Sequence, residues 1–463
     1  MDKDKIKLFE GRSVLSSVLR LAVPSVLGQL ILVIYNIADT FFIGLVGNDA
    51  MIATVAVCMP AFMVISAISN LFGVGASSVI SRSLGKGNTA RAKNAFSFAF
   101  WGCLIFSFIY FLFAFLFKDA FVNILGGSPD QIHDKAVEYL TVTVIICGIP
   151  TALNTLFSHL IRSDGNSFQA SAGIMLGGIL NIVLDPLFIF VILPREQATL
   201  GAAVATGISN VVALLYYVIF FVVKRKSTTF SIKPRPAVFK DGIPGEVILV
   251  GIPAFLMTLC ENLSYAILDN LMSLEGIAAQ AGIGVAKKIN MFCHSAVRGM
   301  AQGVLPLIGY NKSSGNRKRM KAVVLTSGAI SLFIALTGTI CFLLWSKPLV
   351  SMFIQNGETG SLDFGATFLK ILCLGAPLSA VAYTTISFFQ AVGAAYRSLI
   401  LALLRKGILD IPLMFILKNP IPVYGIVWAT PIADAVCALT AVIFLLLYLK
   451  HHGKNKGRFK ETT

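Results

Sequence analysis

Two aspartates stand where a carboxylate is hardest to keep. Asp39 lies in "VIYNIADTFFIGLVG" (residues 33–47) and Asp185 in "GGILNIVLDPLFIF", both inside long apolar runs. A charge at such a depth costs roughly 3 kcal/mol or more, so acids there default to a functional role. Tyr35 precedes Asp39 by four residues and Asn181 precedes Asp185 by four, which sets each pair on one helix face. Asn36 and, in a later apolar run, Thr206 add an amide and a hydroxyl. Two carboxylates among such groups would hold a proton between them or give a hard cation its oxygen ligands. Na+ at Asp39, Asn181 and Asp185 is the metal candidate. The competing reading is two unrelated neutral acids, each hydrogen-bonded to a neighbouring helix.

The second half is furnished differently. Glu261, Asp269, Lys287, Lys288, Arg405, Lys406, Asp410 and Asp434 all fall in its apolar runs. Acid and base balance there, so interhelical ion pairs are the expected use for all but Glu261. Glu261 is a candidate cavity acid that would meet a cationic ligand, with Asn36, Met257 and Met291 as further cavity candidates. Pro186, directly after Asp185, removes a backbone donor and predicts a local bend. The chain has no P-loop, nucleotide signature, nucleophile triad, HExxH or CxxC pair. That argues against an enzyme, against ATP use within the chain and against any cofactor.

The elements that must position these residues follow from composition. Of 463 residues, 56% are hydrophobic and 13% charged, where a soluble domain carries about 25% charge. Too little polar surface remains to cover a globule, so the chain reads as an all-α integral membrane protein. Twelve apolar runs predict transmembrane helices near 15–45, 51–81, 95–117, 137–161, 170–193, 201–223, 247–274, 277–309, 322–345, 366–391, 398–417 and 423–449. The expected organisation is an N-lobe over 1–223 (spans 1–6), a connecting loop over 224–246, a C-lobe over 247–449 (spans 7–12) and a basic tail over 450–463.

Charge sets the orientation. Assigned to alternate loops, 27 Lys and Arg fall on the side of both termini and five on the other. By the positive-inside rule both termini are cytoplasmic. The net charge of +16 therefore reads as topology rather than nucleic-acid binding.

The halves also resemble each other. "LRLAVPSVLGQ" parallels "ILVGIPAFLMT", pairing Pro24 with Pro253. "LGKGNTARAKNA" parallels "KSSGNRKRMKAV", pairing Gly87 with Gly315. Further on, Pro150 pairs with Pro377 and Thr206 with Thr430. Offsets that drift slowly over such a length mark a duplicated six-span unit. An even span count gives both copies the same orientation, a parallel repeat about an axis along the membrane normal.

At this point the residues resemble a known family, the multidrug and toxic compound extrusion (MATE) transporters. The resemblance covers nearly the whole chain and rests on "PSVLGQ" with "YNIADTFFIG" in span 1, "LIRSDGN" after span 4, "LNIVLDPLFIF" in span 5 and "PLIGYN" after span 8. "LNIVLDP" is most similar to the DinF-type, MepA-like bacterial branch. The resemblance implies two six-helix lobes in a V around a central cavity, in a bacterial cytoplasmic membrane. It implies multidrug efflux by antiport, with H+ or Na+ entering as cationic amphipathic drugs leave, membrane lipids around it and no obligate protein partner. Carried over by residue, Asp39 and Asp185 match the coupling carboxylates, Tyr35 and Asn181 their neighbours, and Thr206 a further one. Glu261 has the spacing of the NorM-type glutamate, while Ser379 stands where that type has an aspartate. The expectation is that neutralising Asp39 lets span 1 repack and lowers drug affinity. A lipid or lipid-linked oligosaccharide flippase is the alternative, with Lys287, Lys288 and Arg298 as its basic groups.

Overall fold

Apolar runs of this length can satisfy their backbone in lipid only by closing every hydrogen bond internally, and the chain does so with helices. The computed structural model describes residues 6–47, 49–124, 130–224, 229–234, 236–354 and 360–454, and no strand occurs among them. The first half contains α1 (Val14–Leu45), α2 (Asp49–Gly85) and α3 (Thr89–Leu116). Its α4 is composite, with Asp130–Leu140, a π-helical stretch Thr141–Ile146 and Gly148–Ser163. Next come α5 (Ser167–Leu187, prolonged by π-helical Phe188–Ile192) and α6 (Ala198–Val223). The second half contains α7 (Ile243–Leu274), α8 (Ile277–Ser313), α9 (Arg317–Ser351) and α10 (Ser361–Cys373 with Gly375–Val392). It closes with α11 (Ala395–Leu403, π-helical Leu404–Asp410, Ile411–Lys418) and α12 (Tyr424–Lys454).

Among the described residues nine of these helices are long and apolar enough to cross a membrane, and α4, bent by 48° at its break, makes a tenth if taken as one span. The twelve expected spans are thus not equally apolar. Polar side chains such as His294, Arg298 and Gln302 interrupt α8, and α11 breaks at a π-helical stretch that carries Arg405, Lys406 and Asp410. All three of the latter are buried against other helices, at 1%, 2% and 0% exposure. Several helices overrun the apolar runs at charged ends, as α2, α9 and α12 do. The switch to π-helix at Phe188, just past Pro186, is where the expected irregularity falls.

The duplication is visible in local geometry. Gly87 (φ +71°) and Gly315 (φ +81°) take the left-handed conformation that a residue with a Cβ resists. Each is followed by an asparagine cap. Asn88 Oδ1 accepts from Arg91 N at 2.9 Å, and Asn316 Oδ1 from Arg319 N at 3.0 Å. Likewise α4 and α10 are both broken just before the paired Pro150 and Pro377.

The halves meet symmetrically, α1 along α8 and α2 along α7. Gly75 lies so close to α7 that a Cβ would stand 2.1 Å from Val247 O, and a Cβ on Gly303 would stand 2.7 Å from Ala22 Cα. These two glycines are a repeat pair at the same 228-residue spacing as Gly87 and Gly315. Both contacts lie toward the starts of α1 and α7 and the ends of α2 and α8. At that end Ser78 Oγ also donates to Gln390 O at 2.5 Å, and Glu246 of α7 pairs with Arg82 at 3.2 Å and Arg91 at 2.5 Å. The closest approaches of the two six-helix units therefore gather at one end, the apex of a V. Of the expected connector, Ile232 O and Lys233 O accept from Trp101 Nε1 and Ser97 Oγ of α3, both at 2.8 Å. Residues 225–228 and 235 of it, and 455–463 of the tail, lie outside the described residues.

Candidate cation and ligand sites

In the first half, small residues decide where the acids go. A Cβ on Gly178 of α5 would sit 2.7 Å from Ile31 Cγ2 and 3.3 Å from the Tyr35 ring, so the missing side chain lets α5 press against α1. This contact brings the Tyr35–Asp39 face of α1 toward the Asn181–Asp185 face of α5. Asp185 is 0% and Asn181 2% exposed. Asn181 Nδ2 donates to Asp185 Oδ1 at 3.0 Å and to Thr206 Oγ1 of α6 at 3.2 Å. The polar chain continues through Asn210 Nδ2, which donates to Thr206 O at 3.0 Å, and Asn154 Nδ2 of α4, which donates to Asn210 Oδ1 at 3.0 Å.

This cluster is short of donors. Asp39 Oδ1, Asp185 Oδ2 and Asn181 Oδ1 are buried and have no hydrogen-bond partner. Neither aspartate forms a salt bridge among the described residues. Unpaired buried acceptors are rare because each forfeits its solvation. A proton on either carboxylate, or a cation among these oxygens, would supply what is missing. Five of the expected residues thus come to one region: Tyr35, Asp39, Asn181, Asp185 and Thr206. Tyr139 of α4 was not anticipated, yet it lies within electrostatic reach of Asp39, Asp185 and Tyr35. Asn154 and Asn210 were also missed, although each is an amide in an apolar run, the same signal that marked Asn181.

The second half contains a larger network whose buried acids are ion-paired. Arg405 Nε pairs with Asp434 Oδ1 at 2.7 Å, and Ser379 Oγ donates to Asp434 Oδ2 at 2.7 Å. Lys406 Nζ pairs with Asp410 Oδ2 at 2.7 Å. Ser264 Oγ donates to the same oxygen at 2.6 Å, and Thr430 Oγ1 to Asp410 Oδ1 at 2.9 Å. Arg405 also stacks on the Tyr383 ring at 4.3 Å. Lys287 is held by Asp269 at 2.5 Å. Ser379 Oγ is hydrogen-bonded to Asp434, Arg405 and His294 together.

A cavity lies between the halves, walled by α2, α4, α7, α8 and α10. Asn70, His159 and Arg162 come from the first half, and Met257, Glu261, Arg298 and Gln302 from the second. Polar side chains bridge the halves around it: Asn70 Nδ2 donates to Thr258 Oγ1 at 3.0 Å, and Gln29 Nε2 of α1 to Gln302 Oε1 at 3.3 Å. Met257 and Glu261 both line the cavity. The Glu261 carboxylate, however, is already engaged, by Arg298 and by Tyr383 OH at 3.0 Å. The other two cavity candidates lie elsewhere. Asn36 donates to Leu32 O of its own helix at 2.6 Å, and Met291 is 36% exposed; neither belongs to the wall. Lys287 and Lys288 do not line it either, and Arg298, paired with Glu261, is not a free cation.

Comparison with known proteins agrees with this architecture. The MatE family model matches twice, over residues 24–187 and 253–416, so that each match opens on one of the paired prolines. The multidrug export protein MepA of Staphylococcus saprophyticus is 29% identical over 451 residues, covering 96% of this chain and 97% of that one. MepA of Staphylococcus aureus is 28% identical over 450 residues, with 96% and 97% covered. Among solved structures, a MATE protein in a straight conformation superposes with TM-score 0.88 at 23% identity, covering 98% of this chain and all 100% of that one. The repeat, the multi-pass helical fold and the two matches agree: the chain belongs to the MatE family.

Proposed function

We propose that this protein is a secondary multidrug exporter that moves small cationic amphipathic compounds outward in exchange for H+ or Na+ taken up at the first-half cluster. The observation that carries this reading is the set of three unpaired buried oxygens on Asp39, Asp185 and Asn181. The multidrug export named for the MepA relatives supports the direction and the substrate breadth. In this reading residues 1–223 and 247–449 are the two lobes, joined by 224–246, and both termini face the cytoplasm of a bacterium. No cofactor beyond the coupling ion is needed.

Coupling runs through α1. That helix carries Tyr35 and Asp39 on its contact with α5, packs along α8, and reaches the cavity through Gln29 and Gln302. A cation arriving at Asp39 removes a charge from the α1–α5 contact and changes which packing of α1 is preferred. The same shift alters the α1–α8 seam and the cavity wall. Ion and substrate need only favour different states, by about 1–3 kcal/mol each.

Ethidium efflux from proteoliposomes, with a proton gradient and a sodium gradient imposed separately, tests the proposal. One of the two should drive efflux. Folded protein that moves ethidium under neither would contradict it, and stimulation by lipid-linked substrates would then favour a flippase.

A further inference from the structure

The residues just before α1 are tied to both halves of the molecule. In the π-helical turn Lys7–Gly11, Lys7 and Glu10 face outward while Leu8 and Phe9 are buried, Phe9 at 0% exposure. The Phe9 ring stacks on Tyr310 of α8 with centroids 4.7 Å apart. On the side of the first half, a Cβ on Gly165, in the turn between α4 and α5, would stand 3.0 Å from Phe9 Cε2. Arg319 of α9 gives all three guanidinium nitrogens to this stretch and the start of α1. Its Nε donates to Phe9 O at 2.7 Å, Nη1 to Arg12 O at 2.6 Å and Nη2 to Ser17 Oγ at 2.9 Å. Tyr310 OH adds a bond to Glu10 Oε1 at 2.8 Å.

Arg319 has a repeat partner. Arg91 stands at the same 228-residue spacing as Gly87 and Gly315, and each arginine comes three residues after its capping asparagine. Arg91, on α3 of the first half, pairs with Glu246 at the start of α7, and Arg319, on α9 of the second, holds the entry to α1. Each therefore fastens the first helix of the opposite half, at the end where the halves come closest. The two grips differ in strength. Arg91 and Glu246 form a part-exposed ion pair, which contributes little. Arg319 makes several charge-assisted bonds beside a buried aromatic ring. Its backbone acceptors, on Phe9 and Arg12, lie outside α1, so this grip can let go without unwinding that helix.

Building on the export reading, in which the closed end of the molecule has to open in turn, we propose that Arg319 and Arg91 are paired clasps of a gate at the apex. Phe9 is the latch that Arg319 holds between the halves, and it leaves the Gly165–Tyr310 cleft when the apex parts. The test is maleimide labelling of the purified full chain in detergent, without a gradient, with Ser78→Cys as reporter. Ser78 is 0% exposed and donates to Gln390 O across the halves, so its position reacts only when the apex parts. Peptide mass spectrometry reads that site apart from the native cysteines, and Cys103, 0% exposed within the first half, controls for unfolding. In the reporter background Arg319→Gln and Phe9→Ala should each speed labelling at position 78 about tenfold, and Arg91→Gln about threefold, with Cys103 unchanged. Arg319→Lys should recover part of the effect. No change at position 78 in Arg319→Gln and Phe9→Ala, or an equal rise at Cys103, would overturn the gate. Wild-type ethidium efflux decides the export reading separately: a protein that exports ethidium with position 78 unmoved by these variants loses the latch alone. Faster labelling in a protein that moves no ethidium would keep the clasps and contradict the export reading.

Discussion

The two halves are copies of one unit, yet they treat their buried charges in opposite ways. In the second half Glu261, Asp410 and Asp434 each have a basic partner, and hydroxyls of Tyr383, Ser264, Thr430 and Ser379 fill in around them. In the first half Asp39 and Asp185 have no salt bridge among the described residues, and three oxygens of their cluster are unpaired. A network of matched ion pairs favours one arrangement of its helices, because every partner lost leaves a buried charge behind, even though Arg405 Nη1 and Arg298 Nε have no hydrogen-bond partner. An unsatisfied one leaves acceptors that an arriving cation would pair with. Duplication thus left one half with its acids ion-paired and one with its acids unpaired, and the proposed ion uptake rests on that difference.

Breaking the matched half should have the largest effect on stability. Asp434→Ala leaves Arg405 without its acid at 1% exposure, at a cost of about 3–5 kcal/mol. Thermal unfolding in detergent should show a steep loss, whereas Asp39→Asn should leave the midpoint nearly unchanged. If both variants melted alike, the contrast between the halves would not hold.

Packing offers a sharper comparison at smaller cost. A Cβ on Gly178 would stand 2.7 Å from Ile31 Cγ2 and one on Gly282 2.8 Å from Gly365 N, so Gly178→Ala and Gly282→Ala should each cost about 1–3 kcal/mol. Gly178→Ala should also abolish most ion-driven efflux by moving α5 off the Tyr35–Asp39 face. Gly282→Ala, at the contact of α8 with α10 in the matched half, should keep it. Equal loss of efflux in the two would reduce the cluster to ordinary packing.

The smallest effect tests the likeness instead of the contrast. Asn88 and Asn316 cap α3 and α9 in the same way, so each should cost about 1 kcal/mol when replaced by alanine, with the two values agreeing within about 0.5. Denaturation of the single variants and of the pair would show it.

Much of this was legible in the sequence, for identifiable reasons. A lone Asp or Asn in a run of Leu, Ile and Phe is conspicuous, which is how Asp39, Asn181, Asp185 and Thr206 declared themselves. The Gly87 and Gly315 turns follow from short-range rules that do not depend on the fold. Tyr139 was hidden because its segment, Asp130–Leu140, is charged and amphipathic, so one more polar residue carried no signal. Arg162 sits at the end of a span, where basic residues usually mark topology, and only the packing of α4 against its neighbours buries it. That Met291 and Asn36 lie outside the wall of this cavity has a related reason. Composition says that a residue lies in a span, while the side it faces is settled by helices distant in the chain.

The central claim, that the unsatisfied half takes up the coupling ion, is tested most directly with Asp39→Asn. The measurement is ethidium efflux from proteoliposomes under separate proton and sodium gradients, wild type beside variant, with melting curves to show that both are folded. We expect one gradient to drive the wild type, and the variant to be folded yet inert to that gradient. A folded Asp39→Asn protein that kept full gradient-driven efflux would contradict the account.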